Sequence, residues 1–270
     1  RAGHATLFDC HPRVQAQLDR LAQLSVPQGR FGLETITAMM GRLGNPHRKL
    51  PPVFHVAGTK GKGSVCAFLR AMLEADGNRV HVTTSPHLVR YNERIRVGGN
   101  LIADAALAQL LAEVLDATIA AACLVFAREP ADACVVEAGW GGRFDATNVL
   151  EPAAVAASGI AALGLDHERF LLAPEDGTPQ RPMARIAFEK AGIAKRGIPL
   201  LALDQVPEAM QQIIVRAESV GAPLAIYGHE WSNKSEVDAK ENRHIYRDEQ
   251  GILKLQFPSL NGAHQIRNAG

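Results

Sequence analysis

The feature that most limits how this chain can fold is a largely apolar, β-branched segment that ends in a glycine-rich turn, Val53–Ser64. An apolar helical run through Leu73 follows, so the pattern predicts a strand, a tight loop and a helix in succession. The free N–H groups of the first helical turn and the positive end of the helix dipole would then point at one place. This arrangement is typical of a phosphate-binding loop in an α/β protein.

The side chains of the loop suit an anion. Three glycines allow close approach of the backbone, Lys62 supplies a positive charge, and Thr59 or Ser64 supplies a hydroxyl. The spacing departs from G-x-x-x-x-G-K-[ST], because Gly63 separates the lysine from the hydroxyl. A glycine-rich turn with nothing bound is the structural alternative, but the strand before and the helix after favour phosphate binding. The candidate nucleotide-binding residues are Gly58, Thr59, Lys60, Gly61, Lys62, Gly63 and Ser64.

Composition argues against two broad classes of function. A formal net charge of +1 gives no general attraction to nucleic acid or to an anionic membrane. No apolar run approaches the roughly 20 residues of a transmembrane helix, and the N-terminus shows no signal-peptide pattern. The four cysteines form no C-x-x-C pair, and Cys66 and Cys134 lie in apolar runs. We therefore expect buried, reduced thiols in a cytoplasmic protein that binds neither nucleic acid nor membrane.

Strand and helix patterns alternate along most of the chain. This alternation predicts an α/β fold in which a mostly parallel sheet, with a P-loop, carries helices on both faces. Residues 95–102 are expected to form a hairpin, and a small β-hairpin addition is expected around Asp248–Gly251 at the side of the main domain. We expect one domain over residues 1–262 and the start of a linker or helix over 263–270. Because the sequence lacks an initial methionine and stops within a helix-like pattern, we expect it to be part of a longer chain.

Three predicted strands are each followed or closed by a group that can bind a metal or a phosphate: Ser85, Glu137 and His167. Parallel strands deliver their carboxyl ends to one edge of the sheet, so we expect the three residues to meet there. Each has an ordinary alternative. Glu137 could cap a turn or pair with Arg143, and a lone histidine is more often a satisfied surface or core group.

Lys190 lies in a largely apolar helical segment that ends at Gly192. A lysine in such a setting either extends its amine to solvent or has a functionally perturbed amine. The sequence pattern leaves both possibilities open.

Five sequence blocks occur in a characteristic order: Val56–Ser64, Thr84–Ile95, Val136–Val149, Leu165–His167 and Phe188–Ile193. Together they closely resemble the bifunctional dihydrofolate synthase/folylpolyglutamate synthase family, within the Mur ligase superfamily. The resemblance runs over nearly the whole chain and ends at His264–Ala269. It implies an ATP-dependent ligase of folate biosynthesis and one-carbon metabolism, which adds L-glutamate to dihydropteroate or to folylpolyglutamate through an acyl phosphate.

The resemblance also implies roles for single residues. The glycine-rich loop would hold the ATP phosphates, and Asn268 would approach the adenine. Ser85, Glu137 and His167 would bind Mg²⁺, with a second divalent ion possible, and N6-carboxylated Lys190 would help position a metal. The implied catalytic residues are Lys62, His167 and Lys190. The implied acceptor-binding residues are Arg30, Phe31, Gly32, Leu33, Phe144, Asp145 and Ala146.

The chain departs from the family pattern at several places. Lys60 stands where the family usually has asparagine, and Trp140 replaces a smaller aliphatic residue. A proline-containing insertion, Ala173–Pro179, precedes the Lys190 helix. Near Leu115–Thr118 the family has a longer segment that contributes to the pterin site. The family's second, smaller α/β domain is absent, so we expect this chain to be the N-terminal domain of a longer enzyme.

Two other functions compete with this interpretation. One is a Mur-type ligase that joins an amino acid to a UDP-muramoyl substrate, and the other is a catalytically silent nucleotide-binding module. The resemblance favours a monomer whose partners are small molecules: ATP, L-glutamate and a dihydropteroate or folate.

Overall fold

The computed structural model describes residues 11–23, 32–114, 118–165, 171–237 and 242–270, and its centre is an eight-stranded sheet. The strands are β1 Val53–Ala57, β2 Val80–Thr83, β3 Ile95–Val97, β4 Asn100–Leu101, β5 Ala133–Glu137, β6 Val155–Ile160, β7 Leu200–Ala202 and β8 Leu224–Ile226. Their order in the sheet is β4-β3-β2-β5-β1-β6-β7-β8. The six neighbouring strands β2, β5, β1, β6, β7 and β8 pair in parallel. Strands β3 and β4 form the predicted hairpin, and β3 pairs antiparallel with β2. The mostly parallel sheet is thereby confirmed.

Helices cover both faces of this sheet, as predicted. Those within the described residues are α1 Pro12–Gln23, α2 Glu34–Arg42, α3 Lys62–Ala75, α4 Asp104–Val114, α5 Thr118–Arg128, α6 Pro182–Lys190, α7 Pro207–Val220 and α8 His264–Ala269. On one face, Val56 of β1 and Val135 of β5 pack with Cys66 of α3. Helices α1, α2, α4 and α5 share a hydrophobic core with Val53 and Val136 on the opposite face. Alternate residues of each central strand therefore enter different cores, as a sheet buried on both sides requires.

The predicted β-hairpin addition is part of a larger antiparallel sheet. Strands β10 Asn242–Asp248 and β11 Gly251–Gln256 form the hairpin, and β9 Ser232–Val237 adds a third strand beside β10. The Asp248 carboxylate closes the turn by accepting from the N–H groups of Gln250 and Gly251, at 2.9 and 3.0 Å. The sequence prediction missed β9 because its residues are mostly polar and show no apolar alternation.

The C-terminal helix α8 is tied to this small sheet and to the main domain. The Asn233 side-chain amide donates to the Ile266 carbonyl at 2.7 Å. Arg267 pairs with Asp204, and its guanidinium lies 5.1 Å from the centre of the Tyr227 ring. A helix over residues 264–269 agrees with the expected helix or linker at this point, whereas the domain boundary itself stays a prediction.

The described cysteines are buried and unpaired, as expected for Cys66 and Cys134. Burial raises the pKa of the Cys123 thiol to about 12, and it raises those of Cys66 and Cys134 as well. Within the described ranges, no single helix is long and apolar enough to cross a membrane, and α4 and α5 meet the length and composition criteria only as a pair.

Helix α7 offers a matched test of the packing. Ile213 is fully buried between α6 and the sheet, whereas Val215, two residues away, is 47% exposed. Ile213→Ala should lower the free energy of unfolding by about 2–5 kcal/mol through lost burial and a residual cavity. Val215→Ala should change it by no more than about 0.5 kcal/mol. Urea denaturation of both variants measures the difference, and equal losses would contradict the assigned face of α7.

Candidate functional site

The glycine-rich loop between β1 and α3 needs glycine at two positions for specific reasons. Gly58 has φ +150°, and a Cβ there would lie 2.8 Å from the Ala161 Cβ. Gly61 has φ +86°, and a Cβ there would lie 2.8 Å from the Asn268 side-chain oxygen. The loop is therefore packed against the end of β6 on one side and against α8 on the other.

The first half of the loop is fixed by the segment after β6. The N–H groups of Thr59 and Lys60 both donate to the Ala162 carbonyl, at 2.9 and 3.0 Å. The Thr59 hydroxyl donates to the Gly164 carbonyl at 3.0 Å. Because these donors are engaged, the free donors available for an anion would be the first-turn N–H groups of α3, which have no acceptor within the helix. Of the two candidate hydroxyls, Ser64 is thus better placed than Thr59 to meet a ligand.

Glu137, the last residue of β5, lies beside the start of α3. Its carboxylate accepts from the Ser85 N–H at 3.1 Å and lies 3.9 Å from the Lys62 ammonium. A Cβ on Gly63 would be 4.0 Å from the same carboxylate. The structure thus brings Ser85, Glu137 and Lys62 together at the carboxyl edge of the sheet. The alternative pairing of Glu137 with Arg143 is not formed, since Arg143 pairs with Glu175 and Glu189.

The Glu137 carboxyl is only 5% exposed, and its burial raises its pKa above the ordinary value. The Ser85 N–H and the Lys62 charge act in the opposite direction without cancelling the effect of burial. An incompletely compensated carboxylate of this kind is typical of a functional site, because a bound cation can supply the missing charge.

Part of the predicted metal and acceptor set cannot be placed. His167, Arg30 and Phe31 lie outside the described residues. Over the ranges that are described, no group of three His, Cys, Asp or Glu side chains could hold a metal ion. Leu33 is described, and it packs against the core that holds α1, α2, α4 and α5. Gly32 directly precedes it.

Asp145 organises the turn that follows β5. Its carboxylate accepts from the Trp140 N–H at 2.6 Å and from both the N–H and the hydroxyl of Thr147, at 2.9 and 2.6 Å. Both carboxylate oxygens are therefore engaged within the turn, whereas the neighbouring Phe144 ring is 36% exposed. Ala146 begins the short 3-10 helix that follows, Ala146–Val149.

His55 on β1 extends this network, although the sequence pattern did not single it out. Its Nε2 lies 2.8 Å from the Thr147 hydroxyl. Because that hydroxyl donates its hydrogen to Asp145, it accepts a hydrogen bond from His55, which fixes the neutral imidazole as the Nε2–H form. Burial, reinforced by the Lys195 charge, lowers the His55 pKa to about 3. A histidine inside a buried strand was the only signal available in the sequence.

Lys190, the last residue of α6, is 1% exposed, so of the two alternatives that the sequence left open, the amine that extends to solvent is excluded. The loop after β5 touches the backbone at this helix end. The Arg143 N–H donates to the Glu189 carbonyl at 2.7 Å, and a Cβ on Gly142 would lie 2.6 Å from the Lys190 carbonyl. Glycine at position 142 therefore allows the Glu137–Asp145 segment and the Lys190 helix to meet.

Asn268 of α8 is buried, and its side-chain amide donates to Gln265 at 3.0 Å. Its contact with Gly61 sets it against the candidate phosphate loop. This position agrees with the implied role beside a nucleotide, which stays a prediction.

Comparison with known proteins points to one family. The chain is 38% identical to the dihydrofolate synthase/folylpolyglutamate synthase of Bacillus subtilis over 259 residues, which cover 88% of this chain and 57% of that protein. The structure is similar to the apo form of L. casei FPGS, with a TM-score of 0.82 at 28% identity, covering 94% of this chain and 64% of that one. It is also similar to E. coli FolC in complex with DHPP and ADP, with a TM-score of 0.77 at 29% identity, covering 95% and 65%. No family model matches the chain.

The buried Glu137 carboxylate predicts an unusual pH dependence. Because the folded-state pKa is raised, ionisation disfavours the folded chain, so the free energy of unfolding should fall as pH rises from the ordinary value through the raised one. Glu137→Gln should therefore be at least as stable as the unmodified protein at neutral pH, with the difference vanishing at lower pH. Urea denaturation across this pH range measures it.

Glu113 on α4 is the control, because its pKa is shifted in the opposite direction from that of Glu137. Its exposed carboxylate pairs with Arg128, and this hydrogen bond lowers its pKa. It therefore stabilises the fold above its ordinary pKa, and this contribution is lost as pH falls. Glu113→Gln should cause a small loss at neutral pH. A clear loss of stability in Glu137→Gln at neutral pH would contradict a raised pKa for the buried Glu137 carboxyl.

Proposed function

Because the chain belongs to the dihydrofolate synthase/folylpolyglutamate synthase family, we propose that it forms the ATP-binding part of a ligase that adds L-glutamate to dihydropteroate or to folylpolyglutamate. The observation that carries the proposal is the meeting of Lys62, Glu137 and Ser85 at the start of α3. The E. coli relative in complex with DHPP and ADP supports both a nucleotide and a folate-type ligand. The chain spans 57% of the length of the Bacillus subtilis relative, so the complete ligase activity is a proposal for this protein.

The phosphate groups of ATP would lie against the first turn of α3. Its N–H groups and the helix dipole attract anionic oxygens, and Lys62 adds a full positive charge. Phosphoryl transfer depends on positioning and on neutralising charge, and both are provided by groups already fixed within the fold. The engaged N–H groups of Thr59 and Lys60 hold this loop in shape before a ligand arrives.

A divalent cation such as Mg²⁺ fits the residues at this edge. The Glu137 carboxylate is buried with too little positive charge around it, and a Cβ on Gly139 would lie 3.2 Å from the Ser85 hydroxyl, so glycine leaves this oxygen room. Carboxylate and hydroxyl oxygens are ligands that Mg²⁺ prefers. Ser85, Glu137 and His167 would hold the ion, which neutralises phosphate charge when bound.

In the proposed reaction the acceptor carboxylate attacks the γ-phosphorus of ATP, forming an acyl phosphate and releasing ADP. The neutral amine of L-glutamate then attacks the acyl carbon and loses one proton to water as the amide bond forms, and inorganic phosphate leaves with the electron pair of the broken C–O bond. Lys62 and the α3 N–H groups would stabilise the charge on the transferred phosphoryl group. Phe144, exposed on the turn that Asp145 organises, would contact the acceptor together with Ala146 and residues 30–33.

We propose that the protein acts as a cytoplasmic monomer on small-molecule substrates. Unpaired, buried Cys66, Cys123 and Cys134 suit a reducing compartment.

The central test is ADP release by the natural full-length protein with ATP, Mg²⁺, L-glutamate and either dihydropteroate or tetrahydrofolate. Release should depend on the acceptor, and Lys62→Ala should lower kcat/KM by about 100-fold or more through lost charge stabilisation. Lys254→Ala, on the exposed strand β11, is the matched control and should behave like the unmodified protein.

Two results would overturn the proposal. Nucleotide binding without acceptor-dependent ADP release would identify a silent nucleotide-binding module. Turnover with a UDP-muramoyl substrate, but with neither pteroate nor folate, would identify a Mur-type ligase.

We propose further that Lys190 is N6-carboxylated, as the family resemblance implies. The amine lies in a buried setting at the end of α6, where a carbamate would be shielded from bulk water. Incubation with ¹³C-bicarbonate should produce a carbamate carbon resonance, and Lys190→Gln should abolish it. A spectrum that is the same for both proteins would show that Lys190 stays a free amine.

A further inference from the structure

Among the described residues, two arginines and two glutamates form a network of ion pairs near the end of α6. Arg143 comes from the turn after β5, Glu175 from the segment before α6, and Arg185 and Glu189 from α6 itself. Arg143 donates to Glu189 through Nε and Nη2, at 3.0 and 2.9 Å, and to Glu175 through Nη1 at 3.2 Å and also through Nη2. Arg185 Nη2 lies 2.8 Å from Glu175 and 2.9 Å from Glu189.

The Arg143 guanidinium also contacts two aromatic rings. Its central carbon lies 4.2 Å from the centre of the Phe144 ring and 4.8 Å from that of Phe188. These cation–π contacts add to the two ion pairs and restrict the side chain further. Phe144 belongs to the proposed acceptor-binding surface. A shift of the Arg143 side chain would therefore change the position of the Phe144 ring on that surface.

Glu175 is the member of this network that the family resemblance does not account for. It lies in the proline-containing insertion Ala173–Pro179, and Arg185 also donates to the carbonyl of Leu171, just before this insertion, at 3.0 Å. The Thr178 hydroxyl donates to the Glu175 carbonyl at 2.6 Å and so closes a turn around it. The insertion therefore folds back onto α6 and delivers a carboxylate to Arg143.

Charge balance in the network depends on Glu175. With it, two positive and two negative groups are paired where the side chains of Arg143, Glu175, Arg185 and Glu189 are 23%, 20%, 5% and 6% exposed. Without it, both arginines would share Glu189 alone, leaving one partly buried positive charge uncompensated. Such a charge attracts water and other partners, so the arginines would move away from their present positions.

We propose that Glu175 is a positioning residue for the acceptor side of the site, acting through Arg143 on Phe144 and on the end of α6. This inference rests on the proposed function, because it assigns the acceptor to the Phe144 surface. The phosphate side of the site has separate supports: Ala162 holds the loop, and Ser85 holds Glu137. Loss of the Glu175 charge should therefore affect the acceptor and spare ATP.

The test compares Glu175→Gln with Glu208→Gln in the natural full-length protein. Glu208 on α7 also pairs with an arginine at α6, Arg181, but this pair is exposed and lies at the other end of the helix. Glu175→Gln should raise the KM for the acceptor about tenfold, because losing a charge-assisted hydrogen bond frees Arg143, while the KM for ATP should stay within about twofold. Glu208→Gln should match the unmodified protein in both.

A change that is equal for acceptor and ATP, or no change in acceptor KM, would overturn the proposal. Hydrogen exchange provides a readout that does not need turnover. Amides of residues 142–148 and 183–190 should exchange faster in Glu175→Gln only, with no change at residues 59–66. If the unmodified protein shows no acceptor-dependent activity, the proposed function has failed. The exchange pattern then still decides whether Glu175 positions these segments, since unchanged exchange would refute it.

Discussion

A buried carboxylate with incomplete charge compensation, that of Glu137, is the constraint on which the layout of the site depends. Removing it from water is unfavourable, and the fold offsets only part of that cost with the Ser85 N–H and the Lys62 ammonium. Both partners are in reach because β2 and β1 flank β5 in parallel, so that the three strands end at one edge. The sheet thus stabilises a charge arrangement that favours a cation and the phosphates it would accompany.

Close approach of backbone segments holds the rest of the site around this carboxylate. Gly58 and Gly61 let the phosphate loop contact the end of β6 and helix α8, and Gly142 lets the turn after β5 reach the end of α6. Side chains then fix each contact. Hydrogen bonds from His55 to Thr147 and from Thr147 to Asp145 join strand β1 to the turn after β5. The His55 imidazole is neutral because burial lowers its pKa. The glycine-rich loop is consequently held by close backbone contacts and hydrogen bonds, and the turn after β5 is joined to α6 by the Arg143 network.

Much of this arrangement was predictable from local pattern. Periodicity and glycine placement predict three features that the structure confirms. They are the strand, loop and helix at Val53–Leu73, the hairpin at residues 95–102 and the mostly parallel sheet. Strand β9 was missed because its polar residues carry no alternation, and it is stabilised by pairing with β10 instead. His55 contacts Thr147, which lies 92 residues further along the sequence, and Glu175 pairs with Arg143, 32 residues before it. No local sequence pattern reveals contacts between residues so far apart in the chain. The burial of Lys190 likewise follows from tertiary packing, which its helical segment alone could not reveal.

If Glu137 binds a divalent cation together with the nucleotide phosphates, cation binding and nucleotide binding must be coupled through its carboxylate. Isothermal titration calorimetry with a non-hydrolysable ATP analogue, in the presence and absence of Mg²⁺, measures this coupling in the unmodified protein and in Glu137→Gln. We expect Mg²⁺ to tighten nucleotide binding by about tenfold or more in the unmodified protein, a coupling of roughly 1.4 kcal/mol. In Glu137→Gln this gain should be lost, while binding without Mg²⁺ should be retained or improved because a negative charge near the phosphates is gone. An equal gain from Mg²⁺ in both proteins would show that Glu137 does not bind the cation.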